Sequence, residues 1–67
     1  MINTLVVIPT YNEIENIEGI IKATFQVSQH VEILVVDDNS PDNTAQKVIS
    51  LQTKYPGRLF LEKRKEK

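Results

Sequence analysis

The most informative absence from this sequence is cysteine, which occurs at none of its 67 positions. Without a thiol, the chain has no disulfide, no zinc–thiolate site and no cysteine nucleophile. Histidine is nearly absent too, because His30 is the only one, and a single histidine in a polar segment is expected at the solvated surface rather than in a metal site. A chain of this length is at most one small domain and depends on its apolar core for stability.

Glycine is scarce as well, with Gly19 and Gly57 the only two in the chain. The dinucleotide-binding fingerprint and the P-loop both need several glycines at fixed spacing, so the sequence contains neither motif. We therefore expect that no glycine-rich loop holds a pyrophosphate after the first strand. Gly19 falls inside the first predicted helix, where it costs up to ~1 kcal/mol relative to alanine and is expected to allow a close approach of the helix to the sheet.

The net charge gives no sign of a nucleic-acid partner, and the apolar runs are too short for a membrane-spanning helix. The formal net charge is −1, which gives no reason to expect a nucleic-acid partner. The longest uninterrupted apolar run has four residues, whereas a membrane-spanning helix needs about 20. The N-terminus also lacks the cationic region of a signal peptide. We expect a chain that is made in the cytoplasm and stays there.

Two apolar runs rich in β-branched residues predict strands. The run Leu5–Ile8 is followed by Pro9, and the run Ile33–Val36 is followed by two acids, Asp37 and Asp38. Because the second run does not alternate with polar residues, we expect that strand to be covered on both faces, as in a parallel sheet. Ligands of such sheets bind outside the carboxyl ends of the strands, which is where the two acids stand.

Two amphipathic segments predict helices between and after these strands. Regularly spaced apolar residues predict a first helix over residues 13–27, with Asn12 at its N-cap. A second helix is predicted to begin at residues 40–42 and to end at Pro56–Gly57. The apolar segment Leu59–Leu61 then predicts a third strand.

The resulting order β-α-β-α-β predicts an α/β fold. Its three parallel strands would form a Rossmann-like half-sheet in the order 3-2-1, with the helices packed on the sheet. Strand 1 would be central in a complete sheet of this kind but has an open edge here, so we expect homo-oligomers that pair through the strand 1 edge. No signal after strand 3 completes a domain, and the chain looks truncated there.

The loops after strands 1 and 2 are expected to meet over one small molecule, because the two strands are neighbours. Tyr11 offers a flat face and a hydroxyl to a base or sugar, and Asp38 offers acceptors to a base edge or a ribose hydroxyl. Two plainer roles stay open. Tyr11 could be a rim aromatic that covers the first helix, and one acid of the pair could cap the next turn while the other faces water.

Two motifs at this separation carry a family resemblance: Val-Val-Ile-Pro-Thr-Tyr-Asn-Glu at 6–13 and Val-Val-Asp-Asp-Asn-Ser-Pro-Asp-Asn-Thr at 35–44. They resemble the start of a family 2 glycosyltransferase with the GT-A fold. Within that family, the sequence resembles the dolichyl-phosphate (polyprenyl-phosphate) mannosyltransferase subgroup, also called dolichol monophosphate mannose synthase. The resemblance implies that residues 1–67 are the N-terminal nucleotide-binding portion of an incomplete glycosyltransferase catalytic domain.

The resemblance implies a nucleotide-sugar-binding site and no catalytic residue in this chain. Asp37 would be the more structural acid of the pair. Asn39 and Asn43 stand where the family usually has glycine, and because asparagine also tolerates the left-handed backbone conformation, we expect the turn to survive. The residues that would line the nucleotide pocket are Pro9, Tyr11, Glu13, Val36 and Asp38.

For the parent enzyme, the resemblance implies transfer of mannose from GDP-mannose to dolichyl or polyprenyl phosphate, with Mg²⁺ or Mn²⁺ at the donor diphosphate. The acidic metal-binding motif of the family lies beyond strand 3, so this chain would supply no metal ligand and no acceptor-phosphate site. We therefore expect the chain to be inactive alone. The parent is expected at the cytoplasmic face of a membrane.

Other interpretations stay open. The parent could be a family 2 glycosyltransferase with a UDP-sugar donor, or the chain could be a non-catalytic fragment that self-associates through its open sheet edge. A receiver-type signalling domain also places an acidic pair beside a parallel sheet. In that fold the pair follows strand 1, however, whereas Asp37 and Asp38 follow strand 2.

Overall fold

The computed structural model describes residues 4–27 and 29–65. Within those residues, strands and helices alternate in the predicted order β-α-β-α-β, and no helix there is long and apolar enough to cross a membrane. The elements are β1 (Thr4–Thr10), α1 (Ile17–Val27), β2 (Val31–Asp37), α2 (Thr44–Leu51) and β3 (Leu59–Lys63).

The strands form a parallel sheet in the order β1-β2-β3, which confirms the predicted order counted from the opposite edge. In the register of β1 and β2, Thr4 lies opposite Val31 and Thr10 lies opposite Asp37. The two strands therefore begin level and end level. We call the side at which they begin the amino end of the sheet and the side at which they finish the carboxyl end.

Both helices pack on one face of the sheet. On β2 this face carries Val31, Ile33 and Val35, which are all buried. Right-handed crossovers that step in one direction across a sheet place their helices on the same side of it. Each large apolar side chain that is buried contributes ~1.5–3 kcal/mol, so this single layer is the main source of stability. The helical side chains that complete it are Ile17, Ile21, Phe25, Val48 and Leu51.

The other face of the sheet is not covered by the described residues. Leu5 and Val7 of β1 are 53% and 55% exposed, and Phe60 of β3 is 41% exposed. The expectation that β2 would be covered on both faces is therefore wrong for the part of the chain that the structure describes. An unbroken apolar run shows that both faces of a strand are apolar, but it does not show which segments cover them.

Both helices begin later than the sequence predicted. The α1 helix begins at Ile17, and Asn12, expected at its N-cap, instead has a left-handed backbone with a φ of 56°. The Glu13 carbonyl accepts hydrogen bonds from the amides of Asn16 (2.9 Å) and Ile17 (2.8 Å), so turns precede the helix. The α2 helix begins at Thr44 and so leaves the preceding residues in the loop.

The two glycines differ in their structural roles. Gly19 lies on the exposed side of α1, and a Cβ atom added there would meet no atom within 4 Å. The expectation that it allows a close approach to the sheet is therefore wrong. Gly57 has a φ of 76°, which favours glycine, and forms part of the turn before β3. The α2 helix itself ends before this turn, at Leu51.

Candidate functional site

The carboxyl end of the sheet brings together the two loops that the sequence pattern indicated. Beyond the last paired residues, the amide of Asp38 donates a hydrogen bond to the carbonyl of Thr10 over 3.0 Å. This bond continues the pairing of β1 and β2 by one residue. The first loop, residues 11–16, and the second loop, residues 38–43, therefore leave the sheet side by side.

Asp37 is the buried member of the acidic pair, with only 1% of its surface exposed. Its Oδ1 accepts hydrogen bonds from the hydroxyls of Thr10 (2.9 Å) and Ser40, and its Oδ2 accepts the amide of Ser40 (2.9 Å). Burial raises the pKa of Asp37, but the hydrogen bonds from Ser40 and Thr10 outweigh it, so the pKa lies below its ordinary value. Both oxygens of the Asp37 carboxylate thus accept hydrogen bonds from the protein itself.

Asp38 differs from Asp37 because its Oδ1 accepts no hydrogen bond from the described residues. The side chain is half-buried, and its Oδ1 is buried without a hydrogen-bond partner among the described residues. A buried acceptor without a donor costs free energy, of the order of 1–3 kcal/mol. A ligand that donates a hydrogen bond to this oxygen would remove that cost. Asp38 is therefore the group of this pair that is available for binding.

The turn that carries these acids depends on two asparagines. Asn39 and Asn43 have φ values of 63° and 70°, in the left-handed region that favours glycine. The expectation that asparagine preserves the turn is confirmed at both positions. Asparagine adopts this conformation more readily than other residues with a side chain, because its short polar group can hydrogen-bond locally.

The other residues predicted for the site lie near the ends of β1 and β2 and in the first loop. Pro9 and Val36 are paired in the register of β1 and β2, with Pro9 exposed and Val36 half-buried. Tyr11 is 47% exposed, and Glu13 is half-buried two residues further on. Pro9 and Val36 are thus adjacent, and Tyr11 and Asp38 each follow the paired ends of the strands.

Three residues of the second loop and α2 complete the site and were not predicted from the sequence. Ser40, Asp42 and Thr44 each accept a hydrogen bond from a backbone amide of the first loop. The pairs are Asn12 N to Ser40 Oγ (3.0 Å), Glu13 N to Thr44 Oγ1 (3.0 Å) and Ile14 N to Asp42 Oδ2 (3.2 Å). Short hydroxyl and carboxylate side chains in a turn are a signal for such bonds, although not for the partner.

Asp42 also organises the start of α2. Its Oδ1 accepts hydrogen bonds from the amide of Thr44 (3.1 Å) and from the Thr44 hydroxyl. The Thr44 hydroxyl lowers the pKa of Asp42 most, burial opposes this, and the amides of Ile14 and Thr44 lower it further. The result is an ionised carboxylate at neutral pH that is held by donors from both loops.

The described residues do not fit a divalent metal. Within residues 4–27 and 29–65, no group of three histidine, cysteine or acidic side chains is placed to hold an ion. The carboxylate oxygens of Asp37 and Asp42 already accept hydrogen bonds from the protein. Asp38 alone retains a buried oxygen without a donor. We therefore assign no Mg²⁺ or Mn²⁺ to this site and derive no chemistry through one.

A separate groove of about 680 Å³ lies at the amino end of the sheet, between β1 and the last turns of α1. It lies at the opposite end of β2 from the acidic pair, and most of its lining surface is apolar. These residues are Thr4, Val6, Ala23, Thr24, Val27, His30 and Val31.

Comparison with known proteins shows what this chain is similar to. The model of the family described as "Glycosyl transferase family 2" matches residues 5–67. Dolichol-phosphate mannosyltransferase of Pyrococcus furiosus is 45% identical over an alignment of 64 positions, and the match covers 92% of this chain and 18% of that protein. Polyprenol monophosphomannose synthase of Mycolicibacterium smegmatis is 44% identical over 64 residues, which are 96% of this chain and 24% of that protein.

A solved structure is also similar to this chain. It is the mannosyltransferase PcManGT from Pyrobaculum calidifontis in complex with GDP-Man and Mn²⁺. The TM-score is 0.83 at 29% identity, and the match covers 96% of this chain and 20% of that one. This chain therefore spans between 18% and 24% of the length of the relatives described here.

Proposed function

This chain belongs to glycosyl transferase family 2, and we propose that it forms the N-terminal nucleotide-binding portion of a mannosyltransferase catalytic domain. The donor would be GDP-mannose and the acceptor dolichyl or polyprenyl phosphate. Two named mannosyltransferases at 44–45% identity and a solved relative that binds GDP-Man support this choice of donor. The names of the first two relatives support the choice of acceptor.

One observation in the structure carries the proposal. Asp38 keeps a buried Oδ1 without a donor among the described residues, directly beyond the paired ends of β1 and β2. Every hydrogen bond described for Asp37 and Asp42 comes from the protein itself. A carboxyl oxygen left open at this place suits the donor groups of a nucleotide, which are the N–H edge of a base and the hydroxyls of a ribose.

Each residue of the site then has a distinct part in binding. Asp38 accepts hydrogen bonds from the base or ribose. Pro9 and Val36, paired across β1 and β2, supply apolar surface beside it. Tyr11 supplies an aromatic face and a hydroxyl, and Glu13 lines the pocket from the first loop.

The chemistry itself is assigned to the parent enzyme. A phosphate oxygen of the acceptor would attack the sugar carbon of the donor, a bond would form there, and the nucleoside diphosphate would leave. The described residues would bind and orient the nucleotide, and no group of three histidine, cysteine or acidic side chains among them is placed to hold a metal ion. We propose that this chain alone transfers no sugar, and that the parent works at the cytoplasmic face of a membrane, where a lipid-linked acceptor would be available.

The test is a titration of the chain with GDP, followed by amide NMR shifts. The shifts should concentrate at Tyr11, Glu13, Val36 and Asp38 and should decrease strongly in Asp38→Asn, which keeps the shape but removes the charge. Loss of one charge-assisted hydrogen bond corresponds to about tenfold or more in affinity. Glu32→Gln, the same chemical change at the other end of β2, should leave the titration unchanged.

Two results would contradict the proposal in different ways. If Asp38→Asn binds GDP as the unmodified chain does, Asp38 does not contact the nucleotide. If UDP shifts the same residues more strongly than GDP, the donor is a UDP-sugar and the mannosyltransferase assignment is wrong, while membership of the family stands.

A further inference from the structure

The first loop is held by the second loop and the start of α2 at three consecutive backbone amides. The amides of Asn12, Glu13 and Ile14 all donate to side chains that lie 28 to 31 positions further along the chain. Pairing between β1 and β2 has already ended at this point, because its last bond joins Asp38 to the Thr10 carbonyl. These three bonds therefore continue to join the first loop to the second loop and the start of α2 beyond the sheet.

The acceptors of these bonds are themselves oriented by carboxylates. The Thr44 hydroxyl accepts the Glu13 amide and donates to Asp42. The Ser40 hydroxyl accepts the Asn12 amide and donates to Asp37. A hydroxyl that donates to an ionised acceptor becomes a better acceptor for its own partner, because chains of hydrogen bonds polarise one another. The same arrangement of carboxylate, hydroxyl and amide thus occurs twice.

Of the two chains of hydrogen bonds, the one through Thr44 is the harder for water to replace, because Thr44 is buried. Thr44 is 0% exposed, so its hydroxyl has no access to water as an alternative partner. The Glu13 amide would lose its bond to Thr44 if this hydroxyl were removed. Ser40 is only half-buried, so water is available to replace it in part.

We propose that Asp42 and Thr44 are positioning residues that hold Tyr11 and Glu13 at a fixed distance from Asp38 before any nucleotide arrives. This inference rests on the proposed function, because the pocket it concerns is the nucleotide pocket. Neither residue needs to touch the nucleotide. Asp42 orients Thr44, Thr44 holds the amide of Glu13, and the first loop is thereby kept against the second.

The consequence for binding is a smaller loss of conformational entropy. A loop that is already held in its binding conformation loses little freedom when the ligand arrives, so affinity is higher than for a loop that has to be ordered. Removing the Thr44 hydroxyl should therefore weaken nucleotide binding even though no contact with the nucleotide is removed.

The experiment compares Thr44→Val with Thr44→Ser in the 67-residue chain. Valine keeps the shape and removes the hydroxyl, whereas serine keeps the hydroxyl. In Thr44→Val, hydrogen exchange at the Glu13 amide should become about tenfold faster, and GDP affinity should fall by about the same factor. Thr44→Ser should restore both to within about twofold. Exchange at Ile33 and Val35, in the centre of β2, should stay slow in both variants and would report a general loss of structure.

Asp42→Ala provides a second variant, because it removes the carboxylate that orients Thr44. It should raise exchange at Glu13 and Ile14 and weaken GDP binding in the same direction. Thr53→Val is the matched control, since it removes an exposed hydroxyl that only donates to the Ser50 carbonyl, and it should change neither measurement.

The outcomes separate this inference from the proposed function. If Thr44→Val speeds exchange at Glu13 but binds GDP like the unmodified chain, the positioning role is wrong and the proposed function stands. If exchange at Glu13 does not change, the hydrogen bond does not hold the loop and the inference is wrong. If the unmodified chain shows no GDP shifts at all, the proposed function fails and the positioning role for a nucleotide fails with it.

Discussion

The two ends of the sheet are held together by different interactions. At the amino end, the rings of Phe25 and Tyr55 lie 4.5 Å apart between centroids, and the Arg58 guanidinium lies 4.4 Å from the centre of the Phe25 ring. Arg58 also donates from Nε and Nη2 to the Val31 carbonyl, over 3.2 and 3.1 Å. At the carboxyl end, by contrast, the carboxylates of buried Asp37 and half-buried Asp42 orient hydroxyls, and the hydroxyls accept amides of the first loop.

This difference shows which end is suited to binding. The amino end is stabilised by ring contacts and by a cation that is anchored to a strand. The carboxyl end is stabilised by polar groups that satisfy one another, apart from one oxygen of Asp38. A polar network with one open acceptor offers a ligand both a rigid frame and a specific contact. The four predictions below test this contrast, from the largest expected effect to the smallest.

The largest effect on stability is expected when Asp37 is replaced, and the matched change at Asp38 is expected to have little effect. Asp37→Asn should lower the free energy of unfolding by roughly 2–4 kcal/mol, since each donor left unpaired costs about 1–3 kcal/mol. Asp38→Asn should change it by less than about 0.5 kcal/mol, because Oδ1 of Asp38 has no donor to lose among the described residues. Urea denaturation of both variants measures the difference. Equal losses in the two variants would mean that the acids are not divided into a structural and a binding group.

Acid should weaken the carboxyl end first. The pKa values of Asp37 and Asp42 are lowered in the folded chain, so their stabilisation is complete above the unfolded value near 3.8. It is lost as the pH falls below that value and through the lower folded pKa. Hydrogen exchange at the Glu13 and Ile14 amides should therefore rise between about pH 4 and pH 2 before exchange at the amino end does.

A control is needed for the acid experiment because the pKa of Glu18 is also lowered, chiefly by its hydrogen bond with Lys47 and then by Lys54. These ion pairs are exposed and contribute little. Glu18→Gln should leave the acid response of the two loops unchanged. Uniform loss of protection at both ends of the sheet would contradict the prediction.

At the amino end, Arg58→Met should cost about 1–2 kcal/mol of stability, because it removes the hydrogen bonds to Val31 and the cation above Phe25 while keeping an apolar stem. GDP shifts of the folded chain should not change. Arg64→Met, at an exposed position, is the matched control and should alter stability by less than about 0.5 kcal/mol. A clear loss of GDP binding in Arg58→Met would show that the two ends are coupled.

The smallest effect on folding is expected at Val7, which lies on β1 between the two ends. We propose that copies of the chain associate through β1, the outer strand of the described sheet, whose Leu5 and Val7 are exposed. Val7→Lys should raise the monomer fraction in light scattering with little change in stability. Gln26→Lys adds the same charge on the exposed side of α1 and should not. A monomer at every concentration of the unmodified chain would contradict this proposal.

Much of the fold could be predicted because its signals are local. The β-branched runs Leu5–Ile8 and Ile33–Val36 and the helical spacing between them indicate the elements. Right-handed crossovers that step from each strand to the next then give the observed order. The left-handed turn at Asn39 and Asn43 could be expected as well, from the resemblance and from the side chain of asparagine. The choice of family also followed from two short motifs at a fixed separation.

Other features required the tertiary structure. Predictions for Asn12 and Gly19 were wrong because each depended on surroundings that local sequence does not specify. The α1 helix begins at Ile17, later than predicted, because two amides before it donate to the side chains of Thr44 and Asp42. Coverage of β2 on one face only followed from the path of both crossovers on the same side of the sheet.

The sequence by itself therefore determined which segments are strands and helices, their order in the sheet, and the position of two acids at the carboxyl end of β2. The resemblance already implied that Asp37 is the more structural acid, and only the tertiary structure decided which groups each acid meets. Asp37 accepts donors from Thr10 and Ser40, while Asp38 keeps a buried oxygen open. The physical reason is distance along the chain: strand and helix signals act between near neighbours, whereas the hydrogen bonds that join the two loops connect residues 28 to 31 positions apart.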